Sequence, residues 1–213
     1  LDITLIESDE IGTVGVGEAT VPTMHRFHQF FGIEEREFMR ATQATFKLGI
    51  VFDNWGAPGE SYAHTFGEIG QSNWLVEFHQ YWLEANANGF GGKLEDYCLE
   101  LKAAEAGKFA KKVGDTPLTY AFHLNATAYA GFLRQKSEAL GVRRVEGKID
   151  EVVVDKETGN IAALKLDHER NLVGDFFVDC TGFRSLLLGD ALNVEFEDWG
   201  HWLASDRAFA VQT

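Results

Sequence analysis

The sequence predicts an α/β protein, with helices and strands mixed in α+β fashion, and three observations carry that prediction. The first residues, Leu1-Asp-Ile-Thr-Leu-Ile6, alternate and then run apolar before the acidic Glu7 and Asp9, as a strand of an open α/β sheet does. A glycine-rich turn over 11–20 then leads through Val21-Pro22 towards a helix. Further along, a long helical pattern is followed by four short strand-like runs.

The elements follow in order. Thr20 is the expected cap of the first helix, whose Met24, Phe27, Phe30 and Phe31 share a stripe that stops at Gly32. A second helix, acidic in its first turn, is expected from Glu34 to Thr42. Phe46 to Phe52 alternates as one strand, with Phe46, Leu48, Ile50 and Phe52 on one face and Lys47, Gly49 and Val51 on the other. Trp55-Gly56 and Pro58-Gly59 mark a loop that continues through Tyr62 to Gly67. Helices are expected from Leu75 to Ala87, more weakly from Leu94 to Ala106, and from Asn125 to Leu140, with a lysine-bearing linker over 107–115. The closing strands are expected at Val142–Val145, Ile149–Val154, Ile161–Leu166 and Gly174–Cys180, before a helix from Thr181-Gly182 through Leu192.

Composition narrows the function. The chain of 213 residues carries 19 basic and 33 acidic residues, a formal charge of −14. Such a surface repels phosphate backbones, so neither nucleic acid nor an anionic membrane is an expected partner. Cys98 and Cys180 cannot build a disulfide framework, and no C-x-x-C pair suggests zinc, so a reducing, cytoplasmic setting is expected. No apolar run approaches the ~20 residues of a membrane span, and the opening residues do not read as a signal peptide.

Several residues could carry chemistry. Glu7, an acid at a strand end, could accept hydrogen bonds from ribose hydroxyls or could be solvated surface. The loop Gly15-Val-Gly17-Glu18-Ala19-Thr20 lacks the third glycine of a dinucleotide fingerprint; it could let backbone approach a ligand or merely connect elements. Lys47 lies mid-strand in an apolar segment beside Gly49, which would leave open space next to its amine. It is either an edge-strand lysine with its head in water or an enclosed donor or nucleophile with a lowered pKa. The alternating Tyr62-Ala-His64-Thr-Phe66-Gly67 could sandwich a flat aromatic molecule or pack on the core. Asp179-Cys-Thr-Gly-Phe-Arg184 closes a strand and opens a helix, either as a ligand site or as a simple cap. His25 and His28 have a metal-compatible spacing, but no third ligand follows and phenylalanines surround them, so no metal is expected. There is no G-x-S-x-G elbow.

Taken together these blocks resemble the flavin-dependent halogenases of the tryptophan halogenase family. The resemblance rests on Gly15-Val-Gly-Glu-Ala-Thr20-Val-Pro22, Phe46-Lys47-Leu-Gly-Ile-Val-Phe-Asp-Asn-Trp55, Tyr62-Ala-His64-Thr-Phe66-Gly67, His79-x-Tyr81-Trp82, His123-Leu-Asn-Ala126 and Asp179-Cys-Thr-Gly-Phe-Arg184, in that order over nearly the whole chain. It implies a flavoprotein monooxygenase-like, FAD-binding fold, present here in part, as one domain over residues 1–213 with a substrate-side insertion around 45–120. It further implies that reduced FAD, supplied by a separate flavin reductase, reacts with oxygen and a halide ion, and that the resulting hypohalous acid travels through a tunnel to the essential lysine, matched by Lys47. His64 and Phe66 match positions that stack on an indole-type substrate. Glu7 would hold the ribose, and Gly17, Glu18, Ala19 and Thr20 would contact the flavin. The expected partners are the reductase, met transiently, and a small aromatic substrate, with a homodimer left open. The phosphate-binding glycine motif, the W-x-W-x-I-P signature, the halide-binding residues and the glutamate that partners the lysine are not in this sequence. An interior piece of a longer protein, inactive alone, is therefore expected. The alternatives are a flavoprotein hydroxylase or reductase of the same fold, and a non-enzymatic domain whose aromatic loop binds a ligand.

Overall fold

The computed structural model describes residues 1–12, 19–167, 170–207 and 209. β1 (Thr4–Glu7) is the expected opening strand, shortened at its start. α1 (Met24–Phe30) begins at Thr23, not Thr20, so the expected cap is wrong: the Thr20 hydroxyl is spent on the Phe122 carbonyl, 3.1 Å away. α2 (Glu35–Thr42) ends where Gln43 turns left-handed at φ 54°, and the Thr42 hydroxyl donates back to the Phe38 carbonyl at 2.8 Å.

The single strand expected over Phe46 to Phe52 is two. β2 (Thr45–Lys47) and β3 (Gly49–Asp53) part at Leu48, because each finds a different ladder. The expected loop at Tyr62 to Gly67 contains β4 (Ser61–Thr65), which forms a hairpin with β3. α3 (Phe78–Ala87) starts later than Leu75, since the Asn73 side chain accepts the amides of Leu75 and Val76 and holds them in a turn. The helix expected over Leu94 to Ala106 divides into a 3-10 turn (Leu94–Tyr97) and α4 (Leu99–Glu105). They part at Cys98, whose extended backbone bridges Ile69. The linker holds a short hairpin of β5 (Lys112–Val113) and β6 (Thr116–Pro117).

β7 (Ala121–His123) precedes α5 (Ala126–Ala139), and β8 (Arg143–Glu146), β9 (Ile149–Val154) and β10 (Ile161–Leu166) fall close to their expected places. The strand expected at Gly174–Cys180 does not form. β11 (Asn171–Leu172) takes the edge of β10 instead, and Phe176 and Val178 stay exposed with no ladder partner among the described residues. Nor does one regular helix follow Thr181. A 3-10 turn (Gly182–Arg184) breaks at Ser185, left-handed at φ 45°, and a wider π-type turn covers Leu186–Ala191. Asp179 accounts for this shape: its carboxylate accepts the Thr181 hydroxyl at 2.7 Å and the amides of Thr181, Leu187 and Leu188 at 3.0–3.1 Å. Burial pushes that carboxyl up, but these hydrogen bonds outweigh it and bring it down to about 2. Asp179 thus caps this turn.

The chain divides into two compact units, Leu1–Val16 with Arg134–Thr213, and Gly17–Leu133. In the first, β1 runs parallel to β8, and β9, β10 and β11 form an antiparallel sheet with Leu164 and Leu166 buried. In the second, β2 pairs with β7, aligning Phe46 with Phe122 and Lys47 with Ala121. Beneath them Ile33, Phe38, Phe122, Leu124 and Phe132 form the core. His28 belongs to it: its ring meets Phe38 edge-on at 4.4 Å, and its Nε2 bonds the Tyr129 hydroxyl at 2.9 Å. Burial, and then the neighbouring His25, lower its pKa, and Glu35 offsets this only in part. Among the described residues no helix is long and apolar enough to cross a membrane.

Candidate active site

Lys47 ends the short strand β2, and three separate segments converge on its side chain. The first is the end of the glycine-rich stretch. Ala19 bridges His123, and the Thr20 amide donates to the Phe122 carbonyl at 2.9 Å, so residues 19–20 are tied to the same β7 that carries β2. The Thr20 hydroxyl also accepts the Phe122 amide at 3.0 Å. Fixed this way, the Thr20 carbonyl accepts the Lys47 Nζ at 3.1 Å. The second segment brings Phe66, whose ring centre lies 5.3 Å from that nitrogen, within cation–π range. The Phe66 amide donates to the carbonyl of Leu48 at 3.0 Å, so the ring's position is referred to the residue next to the lysine. The third is β7 itself.

Lys47 is only 8% exposed, and among the described residues no carboxylate pairs with it. Burial therefore lowers its pKa, because the charged form loses water and gains one carbonyl and one ring in exchange. Of the two readings open in the sequence, the edge-strand lysine with its head in water is the wrong one. The reason given for an enclosed amine also changes. Gly49 does not leave space: a Cβ there would lie 2.7 Å from the His64 carbonyl oxygen, so the glycine lets β4 close onto β3.

A cavity of about 340 Å³ opens beside the lysine. Phe46, Leu48, Val51 and Leu101 are among its apolar walls, and its polar lining includes Lys47, Thr65, Glu100 and His123. His123 and Glu100 are residues that sequence reasoning did not assign. His123 stood within a quoted motif, but nothing in its spacing tied it to Lys47. Partial burial, and then the charge of Lys47, lower its pKa.

The remaining candidates are distributed differently. His64 faces Ile50 across the hairpin, on the face opposite the one shared by Val51, Ala63 and Thr65. It is exposed and does not line the cavity. Phe52 and Tyr62 stack on that outer face at 5.0 Å. Glu7, in the other unit, accepts through Oε1 from Arg134 at 2.9 Å and from Arg144 at 2.5 Å. Gly17 and Glu18 lie outside the described residues. Ala19 and Thr20 also wall a second, mostly apolar hollow of about 440 Å³ with Val21, Met24, Phe27 and Tyr129. His25 bonds the Tyr120 carbonyl at 2.8 Å, and no group of three or more potential metal ligands occurs among the described residues.

A lysine amine desolvated between a ring and a carbonyl, in a mixed α/β frame, is an arrangement to compare with known proteins. The fold matches solved flavin-dependent halogenases: that of Xanthomonas campestris (Xcc4156) at a TM-score of 0.88 and 52% identity, covering 95% of this chain and 41% of that one, and BrvH of Brevundimonas sp. BAL3 at 0.85 and 42%, covering 95% and 41%. Tryptophan 7-halogenase RebH of Lentzea aerocolonigenes is 35% identical over 99% of this chain and 43% of its own length. The sequence profile of the tryptophan halogenases matches residues 1–213, and the chain belongs to that family. It spans less than half the length of these relatives.

Proposed function

We propose that the whole protein halogenates an electron-rich aromatic molecule of the tryptophan or indole type, with Lys47 as the residue that hands over the halogen. The observation that carries this reading is the desolvated Lys47 amine at the wall of a cavity, held by Thr20 and packed on Phe66. FAD, reduced by a separate flavin reductase, supplies the oxidation of halide by oxygen when bound. The residues present suit that cofactor. Ala19 and Thr20 wall an apolar hollow against which a flat ring can lie.

The role of Lys47 follows from its surroundings. With its pKa lowered, the amine is more often neutral than a surface lysine, and a neutral amine is a nucleophile. It attacks the halogen of hypohalous acid; the N–X bond forms, the O–X bond breaks, and water leaves. The aromatic carbon then takes the halogen as the N–X bond breaks, and the ring proton returns the amine to its starting form. Alternatively the same group donates a hydrogen bond to the acid and polarises it. In either case few waters compete, because the side chain is buried. Phe66, beside the amine, is assigned to the aromatic substrate, whereas His64, on the outer face of the hairpin, does not line this cavity.

The test uses the full-length protein with FAD, NADH, a flavin reductase, oxygen and chloride or bromide over a panel of indoles. Mass spectrometry should show a halogenated product that Lys47→Ala abolishes while flavin oxidation persists. Undiminished halogenation by Lys47→Ala would remove the assigned role.

A further inference from the structure

Glu100 is a buried acid that the reading above does not use. Only 4% exposed, it sits in the first turn of α4, and its carboxyl reaches two other segments as well as the cap of its own helix. Oε1 accepts the Thr119 amide at 2.8 Å, just upstream of β7. Oε2 lies 3.5 Å from the Cys98 Sγ and directly against Gly67, where an added Cβ would come within 1.6 Å of it. Gly67 is not in the left-handed region of the backbone, so the close approach of Glu100, not chain conformation, is what excludes a side chain there. The neighbouring contacts point the same way. The Cys98 thiol donates to the Thr65 hydroxyl at 3.0 Å, Ile69 bridges Cys98, and the Gly70 amide donates to the Tyr97 carbonyl at 3.0 Å.

These contacts bracket one residue. Phe66 lies between Thr65, tied to Cys98, and Gly67, seated on Glu100; its own amide is tied to Leu48 beside the lysine. A buried carboxyl group is an expensive way to fill space, and a leucine would pack there at lower cost. What a carboxyl adds is direction, since its two oxygens fix the start of β7 and the end of β4 against α4 at once.

We propose that Glu100 is a positioning residue: with Gly67 and Cys98 it sets where the Phe66 ring stands relative to the Lys47 amine, and so fixes which ring atom of the substrate meets the halogen. The proposal rests on the halogen-transfer reading of Lys47. It predicts an effect on substrate placement and none on halide oxidation. The affected quantities are the KM for the aromatic substrate and the ratio of halogenated positional isomers.

The experiment compares Glu100→Ala, Glu100→Gln, Gly67→Ala and the double variant in the full-length enzyme, with indole as substrate. Glu100→Ala should raise KM about tenfold, the scale of one lost buried hydrogen bond to a carboxyl group, and broaden the isomer ratio at an unchanged rate of flavin oxidation. Glu100→Gln, which keeps an oxygen for Thr119, should restore most of the ratio. Gly67→Ala should reproduce the defect, and the double variant with Glu100→Ala should be no worse than Glu100→Ala alone, because both substitutions act through the same contact. Variants that lower only the yield of folded enzyme, with KM and isomer ratio intact, would overturn the proposal. So would a double variant whose defect is the full sum of the two single ones. A wild-type protein that fails to halogenate any indole defeats the underlying reading instead, and is told apart by that control.

Discussion

At Glu7 two guanidinium groups converge on one carboxylate oxygen, whereas at Lys47 the amine meets one carbonyl and one ring. Both groups have lowered pKa values, and the shifts mean opposite things. Burial pushes the Glu7 carboxyl up, but the hydrogen bonds from Arg144 and Arg134 pull it further down, so its charge is stabilised. For Lys47 burial alone lowers the value, so its charge is destabilised. Glu7, 37% exposed and matched by cations, is a settled ion pair. Among the described residues Lys47 has only a carbonyl and a ring beside its amine, and the proposed halogen transfer uses that lack of a counter-charge.

The comparison can be broken at several places. The largest effect is expected beneath Lys47: Phe122→Ala, at a fully buried ring whose backbone carries Thr20, should cost roughly 3–5 kcal/mol in chemical denaturation. Next comes Lys47→Arg, which keeps the charge but cannot lose its proton. Halogenation should fall by about a hundredfold or more, measured as initial product formation by liquid chromatography.

Lys47→Met should then leave the fold equal or up to about 1 kcal/mol more stable near neutral pH, since it removes a buried amine. The sign follows from linkage. The unfolded chain binds the lysine proton up to its ordinary value of 10.5, and the folded chain loses it earlier. The stability gap between wild type and variant should therefore narrow as pH rises from the folded value towards 10.5. Halogenation through the neutral amine should climb over the same pH range, whereas a falling rate would assign the charged, hydrogen-bonding form.

Smallest is Glu7→Gln. Its ion pairs stabilise the fold above the ordinary carboxyl value of 4.5, and that contribution disappears as pH falls through the lowered folded value. Being partly exposed, the site should contribute less than about 1 kcal/mol at pH 7. Melting curves of wild type and variant should merge in acid.

Much of this was legible in the residues, and the failures share a cause. Lys47 and the hairpin motif drew attention because a charged group and large rings interrupted an apolar alternation. The break at Leu48 left no trace, since Phe46 to Phe52 alternates straight through it and the change of ladder partner is invisible locally. β4 reads as a loop because glycines and a proline surround it. Residues 174–180 failed the other way: an apolar run looks like a strand whether or not an edge is free to receive it. Glu100 and His123 gave no local signal, since an acid early in a helix and a histidine at a strand end are ordinary.

The sequence by itself determined the α/β class, the order of most helices and strands, the family resemblance, and Lys47 as the residue to watch. Periodicity and motif spacing are properties of neighbouring residues, and they survive without the fold. Tertiary structure alone decided that the amine is buried, that the Thr20 carbonyl holds it, and that Phe66 stands beside it while His64 faces away. Those facts join Lys47 to segments 27 and 19 residues distant, on either side in the chain. Desolvation depends on everything that closes around a group, so no local pattern can report it.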